Sequence, residues 1–241
     1  MKKHVTLFSS VLMMSTTLLG AGQAFAAVSE PSTPDPAEAR TEVTANLTIN
    51  PTPDKPEPPV DPGEGGTDEE TNISGLFGIA YAPGGLSGNG QLKDQGVSTI
   101  DLTNNAGDNV QNKHNVGVQD KTRAKDRNWS LTAQLEWTND DQGYLDGATI
   151  TATEGNVKIN EGGDLTGPVT GEEVIMESSA ENLTISKNAP TTIMKAQKGK
   201  TVNGVYNYQF KAPKLVIQNS QNVAEGTYNG NIVWNLSNVL G

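Results

Sequence analysis

The sequence predicts an all-β fold, an antiparallel and Greek-key-like β-sandwich that follows an acidic, Pro-rich N-terminal segment. Three observations indicate this fold class. Gly and Asn punctuate the chain from Asn72 onward, the runs between them are short and alternating or β-branched, and apolar residues at helical spacing are hard to find. Many short strands separated by turn residues at roughly regular spacing are typical of sandwiches.

Residues 1–26 have the composition of a secretory signal peptide. Lys2 and Lys3 precede an apolar run at 5–19, and residues 24–26 (Ala-Phe-Ala) offer the small side chains that a signal peptidase requires. The apolar run is shorter than the roughly 20 residues that cross a bilayer. We therefore expect cleavage after Ala26, a secreted extracellular protein, and no direct membrane insertion.

Residues 27–71 form an acidic, Pro-rich segment that differs from the rest of the chain. Nine of the thirteen prolines lie at 29–71, together with eleven acids against only Arg40 and Lys55. Proline restricts the backbone and like charges repel, so most of this segment should be extended and solvated. Within it, the period-two alternation of 43–49 (Val-Thr-Ala-Asn-Leu-Thr-Ile) predicts a first strand. The β-rich domain then occupies residues 72–241.

The charge balance limits the classes of partner. The full chain has a net charge of −11, which becomes −13 after residues 1–26 are removed, because they contain two lysines and no acids. Binding to nucleic acid or to an anionic lipid surface requires an excess of Lys and Arg, so both partners are disfavoured. The chain has no cysteine, which excludes disulfides and thiol catalysis. We expect no cofactor.

Two Trp-containing segments show strict strand periodicity. In residues 129–137 every odd position is apolar and every even position is polar, and residues 228–236 repeat the pattern with one exception, Val233. In a strand, each set lies on one face. We interpret both Trp-x-Leu pairs as core residues; the alternative is that the tryptophans stack on sugar rings. Trp137 lies next to the acidic loop, and of the three tryptophans it is the one we expect to be partly exposed. The two pairs are Trp129 and Leu131, and Trp234 and Leu236.

These two motifs, in this order, resemble the WxL domain of Gram-positive surface proteins. The context is similar too: residues 118–123 (Val-Gln-Asp-Lys-Thr-Arg) precede the first motif, residues 145–148 follow it, and Tyr228 stands six residues before Trp234. The resemblance extends over about residues 40–241. It implies non-covalent attachment to the cell wall, with peptidoglycan as the ligand, and membrane-anchored surface proteins as further partners. The alternative is a structural or adhesive subunit that binds a partner protein or a host ligand.

One basic segment contrasts with the acidic chain. Five cations, Lys113 and four more at 121–127, precede Trp129 against only two acids, and a second group of three lysines follows at 195–200. A local positive patch suits the anionic polymers and peptide carboxylates of a wall, although an ordinary solvated loop is the alternative. The chain ends at Leu240 and Gly241 without a sorting signal, so we expect the folded domain itself to hold the protein on the surface. The candidate wall contacts are Lys121, Arg123, Lys125, Arg127 and Trp137.

Catalytic patterns are weak, and we predict that the protein is not an enzyme. His114 is the one histidine outside residues 1–26, and it is expected to be a solvated side chain in a polar segment. No Ser or Cys context indicates a nucleophile. Residues 138–147 are oxygen-rich but lack the alternating acids of an EF-hand loop, so we predict an acidic turn and no metal site.

Overall fold

In the computed structural model, residues 34, 36–60, 68–104, 112–169 and 173–238 are described, and the predicted signal peptide lies outside them. The described residues form fourteen β-strands and two short 3₁₀ turns, at Ser178–Ala180 and Ser220–Asn222. The strands are β1 (Asp68–Glu70), β2 (Phe77–Pro83), β3 (Leu86–Ser87), β4 (Ser98–Asp101), β5 (Thr103–Asn104), β6 (Lys113–Asp120), β7 (Trp129–Trp137), β8 (Thr149–Glu161), β9 (Asp164–Pro168), β10 (Val174–Met176), β11 (Thr184–Ser186), β12 (Thr191–Ala196), β13 (Gly204–Ile217) and β14 (Gly230–Asn238). The all-β prediction is confirmed.

The strands form two main antiparallel sheets. The larger sheet has the order β1-β2-β6-β13-β8-β11, with β4 also paired to β13 and β9 to β8, and the smaller has the order β10-β12-β7-β14. A two-stranded ribbon pairs β3 with β5. The chain passes repeatedly from one main sheet to the other between β6 and β14, so most sequence neighbours in this region are not neighbours in a sheet.

A single large core cluster lies between the two sheets. The odd residues of β7 supply one side, and Trp129, Leu131 and Ala133 are each 0% exposed. The even residues of β13 supply the other side with aromatic rings, of which Tyr206 lies 6.3 Å from the Trp129 ring, centroid to centroid. Period-two alternation therefore fixes which face of each strand is buried.

The outer face of the larger sheet carries a buried polar network. Tyr81 lies over Gly117, where any side chain would overlap its ring. Its hydroxyl donates to Asn207 Oδ1 at 2.9 Å and accepts from Asn160 Nδ2 at 2.8 Å. The Asn115 side chain donates to Asp68 Oδ2 at 2.8 Å, which ties β1 to the sheet. A network satisfied in this way specifies one arrangement of the strands.

Part of the Pro-rich segment packs against the larger sheet. The compact unit that contains the sheets spans residues 48–241. Pro56 and Pro59 are buried, and the carbonyl of Glu57 accepts from Asn160 Nδ2 at 2.7 Å. The stretch around Pro56 and Pro59 is therefore packed on the larger sheet and not solvated.

The predicted strand at 43–49 is wrong. This segment has no strand pairing among the described residues, and its apolar side chains are exposed: Val43 is 84% and Leu47 is 92% accessible. Alternation describes a surface that suits a half-buried strand, but a strand also needs a neighbour that completes its hydrogen bonds. The sequence shows the alternation, but it does not show whether a neighbouring strand is present.

A partly buried carboxyl, Asp68, and a buried imidazole, His114, give the fold opposing responses to pH. Burial raises the pKa of the Asp68 carboxyl to about 6, and burial lowers the pKa of the His114 imidazole to about 4. The raised acid pKa contributes stability that is present at low pH and is lost as the pH rises through 6. The lowered histidine pKa contributes stability that is present above pH 6.5 and is lost as the pH falls. The two contributions oppose each other between about pH 4 and pH 6.5.

We therefore expect single substitutions to change the slope of stability against pH in opposite directions. Asp68→Asn should make the protein less stable, relative to wild type, as the pH falls from 6.5 to 4, and His114→Leu should make it more stable over the same interval. Each pKa unit corresponds to about 1.4 kcal/mol. Urea unfolding at several pH values measures the slopes, and profiles parallel to wild type for both variants would contradict this assignment.

Candidate functional site: a basic end of the sandwich

Two loops that are distant in sequence meet at one end of the sandwich. The loop at 121–128 precedes β7, and the loop at 197–203 joins β12 to β13. The Arg123 N–H donates to the Val202 carbonyl at 3.0 Å, and the Gly199 N–H donates to the Lys125 carbonyl at 2.9 Å. The two basic groups seen in the sequence therefore lie side by side.

The cations of these loops form a surface that we call the basic end. Arg127 packs its guanidinium 4.7 Å from the Phe77 ring centroid, whereas Arg123 and Lys125 are exposed. Lys195, in the second group, forms an ion pair with Glu177, so we do not count it as part of the basic end. None of the remaining cations has an ion pair within the described part of the chain, so their charge is available to a ligand. The basic end consists of Lys121, Arg123, Lys125, Arg127, Lys198 and Lys200.

Asp120 connects the basic end to the first Trp-x-Leu motif. Its Oδ1 accepts from the N–H and the hydroxyl of Thr122 at 3.0 and 2.6 Å, and its Oδ2 accepts from Trp129 Nε1 at 3.0 Å. Asp120 is 0% exposed, so its hydrogen bonds are shielded from water. The carboxylate thus holds both ends of the 121–128 loop, and the indole acts as a positioning group for it.

The two Trp-x-Leu motifs lie on neighbouring antiparallel strands. The register of β14 against β7 sets Leu236 opposite Leu131 and Trp234 opposite Ala133. Trp129 and Leu131 are fully buried, as a core stripe requires. Trp234 is partly buried, and its ring lies 6.1 Å from that of Phe210, because β14 is the edge strand of its sheet.

Paired motifs of this kind agree with the comparison with protein families. The model of the WxL domain, described as surface cell wall-binding, matches residues 32–239. The chain belongs to the WxL family. Comparison with curated proteins and with solved structures gives no match. The WxL family is a family of surface, cell wall-binding domains. It is not a family of enzymes.

No helix in the described part of this WxL protein has the length and apolar character needed to cross a bilayer.

Trp137 is separated from the basic end. It is the last residue of β7, whereas the basic loop joins the first, and nine residues of strand lie in that span. Its ring lies against Gly230 and packs on two core clusters. Its Nε1 is buried and has no hydrogen-bond partner among the described residues. The structure therefore does not bring Trp137 together with the cationic candidates, and its role in wall contact stays a prediction.

The prediction of a solvated His114 is wrong. Its side chain is 0% exposed, its Nε2 lies 2.8 Å from Asn112 Oδ1, and its ring packs 5.4 Å from that of Phe210. In β6 the alternation places His114 on the same face as Val116 and Val118, which directs it to the core. The residues next to His114 in the sequence are polar, so the sequence suggested a solvated side chain.

The acidic loop after β7 uses its carboxylate internally. Asp140 accepts from the Tyr144 N–H and the Leu145 N–H, each at 2.8 Å, and Gly143 adopts a φ of 69° at the bend. Positive φ favours glycine. The loop therefore forms a hydrogen-bonded turn. Sequence reasoning did not single out Tyr144, whose only signal was an aromatic residue within a polar, turn-rich loop.

Proposed function

We propose that this WxL protein is exported through the signal peptide at 1–26 and binds peptidoglycan without a covalent bond, using the basic end as its contact surface. The observation that supports the proposal most is the gathering of six cations at one end of a chain whose net charge is −11. Family membership supplies the wall as the target. The peptide carboxylates of peptidoglycan supply the complementary charge.

Local geometry, and not net charge, governs such a contact. At physiological ionic strength the screening length is about 8 Å, so acids elsewhere on the molecule have little influence at the basic end. Asp126 is an exposed acid within the 121–128 loop, and Asp120 is buried and hydrogen bonded. Glu173 also lies next to the 197–203 loop, since its carbonyl accepts from the Gln197 N–H. The six cations of the basic end outnumber these acids, so the surface offered to a polymer carries a positive excess.

The loops are fixed in place before a ligand arrives. Backbone hydrogen bonds tie Arg123 to Val202 and Lys121 to Leu76, and the Asp120 carboxylate holds the loop base. A surface that is ordered in the free protein loses less entropy on binding. This arrangement supports a specific contact over a mobile, solvated loop.

A second candidate function is that of a subunit in a surface complex. The segment at 43–49 favours it, because Val43, Leu47 and Ile49 are exposed apolar side chains at strand spacing. An extended segment of this pattern can pair with the edge of a partner's sheet. In that case retention on the wall would depend on a membrane-anchored surface protein and not on peptidoglycan.

Charge reversal tests the basic end. Replacing Arg123, Lys125, Lys198 and Lys200 with Glu should weaken binding to protein-stripped sacculi by about tenfold or more, because each exposed ion pair contributes about 0.2–1 kcal/mol. Co-sedimentation with purified sacculi at physiological salt measures the affinity. All four residues are exposed, so the thermal transition should be retained.

A matched variant separates local from global charge. Glu at Lys55, Lys93, Lys158 and Lys214 changes the net charge equally but leaves the basic end intact, and it should bind within about twofold of wild type. Equal losses in the two variants would overturn the assignment of the contact surface. If wild-type protein fails to sediment with sacculi but is retained on cells that display the surface partners, the second candidate function is favoured.

A further inference from the structure

A cleft of about 330 Å³ lies at the end of β7 opposite the basic end. One wall is the turn-rich loop between β7 and β8, and the other is the segment at 218–222 after β13. Its volume falls within the range of small-molecule sites. The residues with functional side chains in it are Gln142, Tyr144, Gln218, Asn219 and Asn222.

The cleft contains an exposed aromatic ring. Tyr144 is 41% accessible, whereas every other Trp, Tyr and Phe among the described residues is buried or partly buried. In this protein aromatic rings are otherwise used to build the core and its margins. An exposed ring in the wall of a cleft presents an apolar face and a polar hydroxyl to a ligand.

Four amide side chains line the same cleft as this ring. Gln142, Gln218, Asn219 and Asn222 are exposed, and none of these side chains has a hydrogen-bond partner in the part of the chain that the structure describes. An amide offers donors and an acceptor together, which matches hydroxyl and N-acetyl groups, since these also donate and accept.

Charge around the cleft selects against anions. The residues that line it are uncharged, and the nearby loop carries Asp140 and Asp141. Lys187 lies close to the loop but is paired with Asp146. An anionic polymer therefore gains nothing here, in contrast to the basic end, and an uncharged ligand is favoured.

Both walls are held rigidly. The Asp140 carboxylate binds two backbone N–H groups beside Tyr144, and the buried side chains of Leu145 and Ile217 form a small core cluster beneath the cleft. On the other wall, the Ser220 hydroxyl donates to the Lys93 and Gly96 carbonyls, each at 2.9 Å. The side chains in the cleft are thus carried on a fixed backbone, which reduces the entropy lost on binding.

We propose that this cleft is a second binding site and that its ligand is an uncharged saccharide. The Tyr144 ring stacks on the apolar face of a pyranose, and the four amides hydrogen bond to its hydroxyl or N-acetyl groups. The site goes beyond the proposed role of the basic end and does not depend on it, because the two surfaces lie at opposite ends of β7 and recognise different chemistry. Together they would give the domain two points of attachment to a polymer.

Titration of purified protein with two neutral trisaccharides tests the site. One is the β-1,4-linked trimer of N-acetylglucosamine, and the other is isomaltotriose, which lacks N-acetyl groups. We expect saturable chemical-shift changes confined to residues 142–148 and 217–222 with at least one of them, and the comparison shows whether N-acetyl groups are recognised. Tyr144→Ala should raise the dissociation constant about tenfold, and Tyr144→Phe should keep it within about twofold.

Two further variants serve as controls. Asn231→Ala removes an exposed amide on β14, outside the cleft, and should leave the affinity unchanged. The variant with four charge reversals at the basic end should still bind the trisaccharide, so failure of the wall-binding proposal and failure of this one are distinguishable. Absence of binding by both trisaccharides, or equal affinity of wild type and a folded Tyr144→Ala protein, would overturn the proposal.

Discussion

Trp129→Ala is expected to abolish the cooperative thermal transition of the domain. The ring is fully buried between the sheets and contacts both Phe77 and Tyr206. Truncation of a core Trp costs about 3–5 kcal/mol, and loss of the indole N–H leaves the buried Asp120 carboxylate short of a donor at a further cost of about 1–3 kcal/mol. The sum approaches the whole stability of a typical domain, about 5–15 kcal/mol.

Near-UV circular dichroism during thermal unfolding measures this effect. Trp129→Phe is the matched control, because it keeps an aromatic side chain in the core and removes the donor to Asp120. It should lie between wild type and Trp129→Ala, and the amide signals of the 121–128 loop should change in it. A Trp129→Ala protein that melts within a few degrees of wild type would show that the first motif is not a core element.

Trp234→Ala is expected to destabilise the domain by a smaller amount, about 3 kcal/mol at most. Trp234 lies on the edge strand β14 and is only partly buried, so less apolar surface is lost on truncation. Its ring contacts Phe210, which itself is 1% exposed. We expect a lower melting temperature with the transition still cooperative.

Val233→Ala provides the control on the same strand. Val233 is the apolar exception in the alternation of β14 and lies on the opposite face from Trp234. Its truncation should change the free energy of unfolding much less. Equal destabilisation by the two variants would contradict the assignment of the Trp234 face to the core.

Strand periodicity was the part of the fold that the sequence could predict. The alternation of β7 correctly indicated which side chains are buried, because that property depends only on residues within one strand. The pairing of β14 with β7 could not be read in the same way. It is set by a register between segments about 100 residues apart, and the motifs contain no signal for Leu236 to lie opposite Leu131.

Two predictions were wrong because they also depended on contacts between distant segments. The strand predicted at 43–49 had the right alternation but has no pairing strand among the described residues. His114 appeared solvated because its sequence neighbours are polar, although the buried face of β6 depends on the sheet that covers it. The two groups of cations that form the basic end are far apart in the sequence. They lie side by side because backbone hydrogen bonds join their loops, and the sequence carries no signal for these bonds.

The core of the domain and its candidate binding sites use different residues. Trp129 acts through the core and through Asp120, which positions the basic loop, whereas the proposed contacts are side chains that the core leaves exposed. No pattern in the sequence indicated a role for Tyr144, because three of the four amides that line the same cleft come from the distant 218–222 segment. No periodic pattern of residues in the sequence predicts which two loops will meet to form a cleft.

We infer that the motif tryptophans build the domain, and we propose that exposed surfaces bind the wall. The most direct test is sacculus binding of Trp234→Ala, measured well below its melting temperature and expressed per folded molecule by near-UV circular dichroism of the same sample. We predict the affinity of wild type under these conditions, with loss of binding only as the protein unfolds. A Trp234→Ala protein that is folded at the assay temperature, yet no longer binds sacculi, would contradict this inference and identify Trp234 as a ligand-contacting residue.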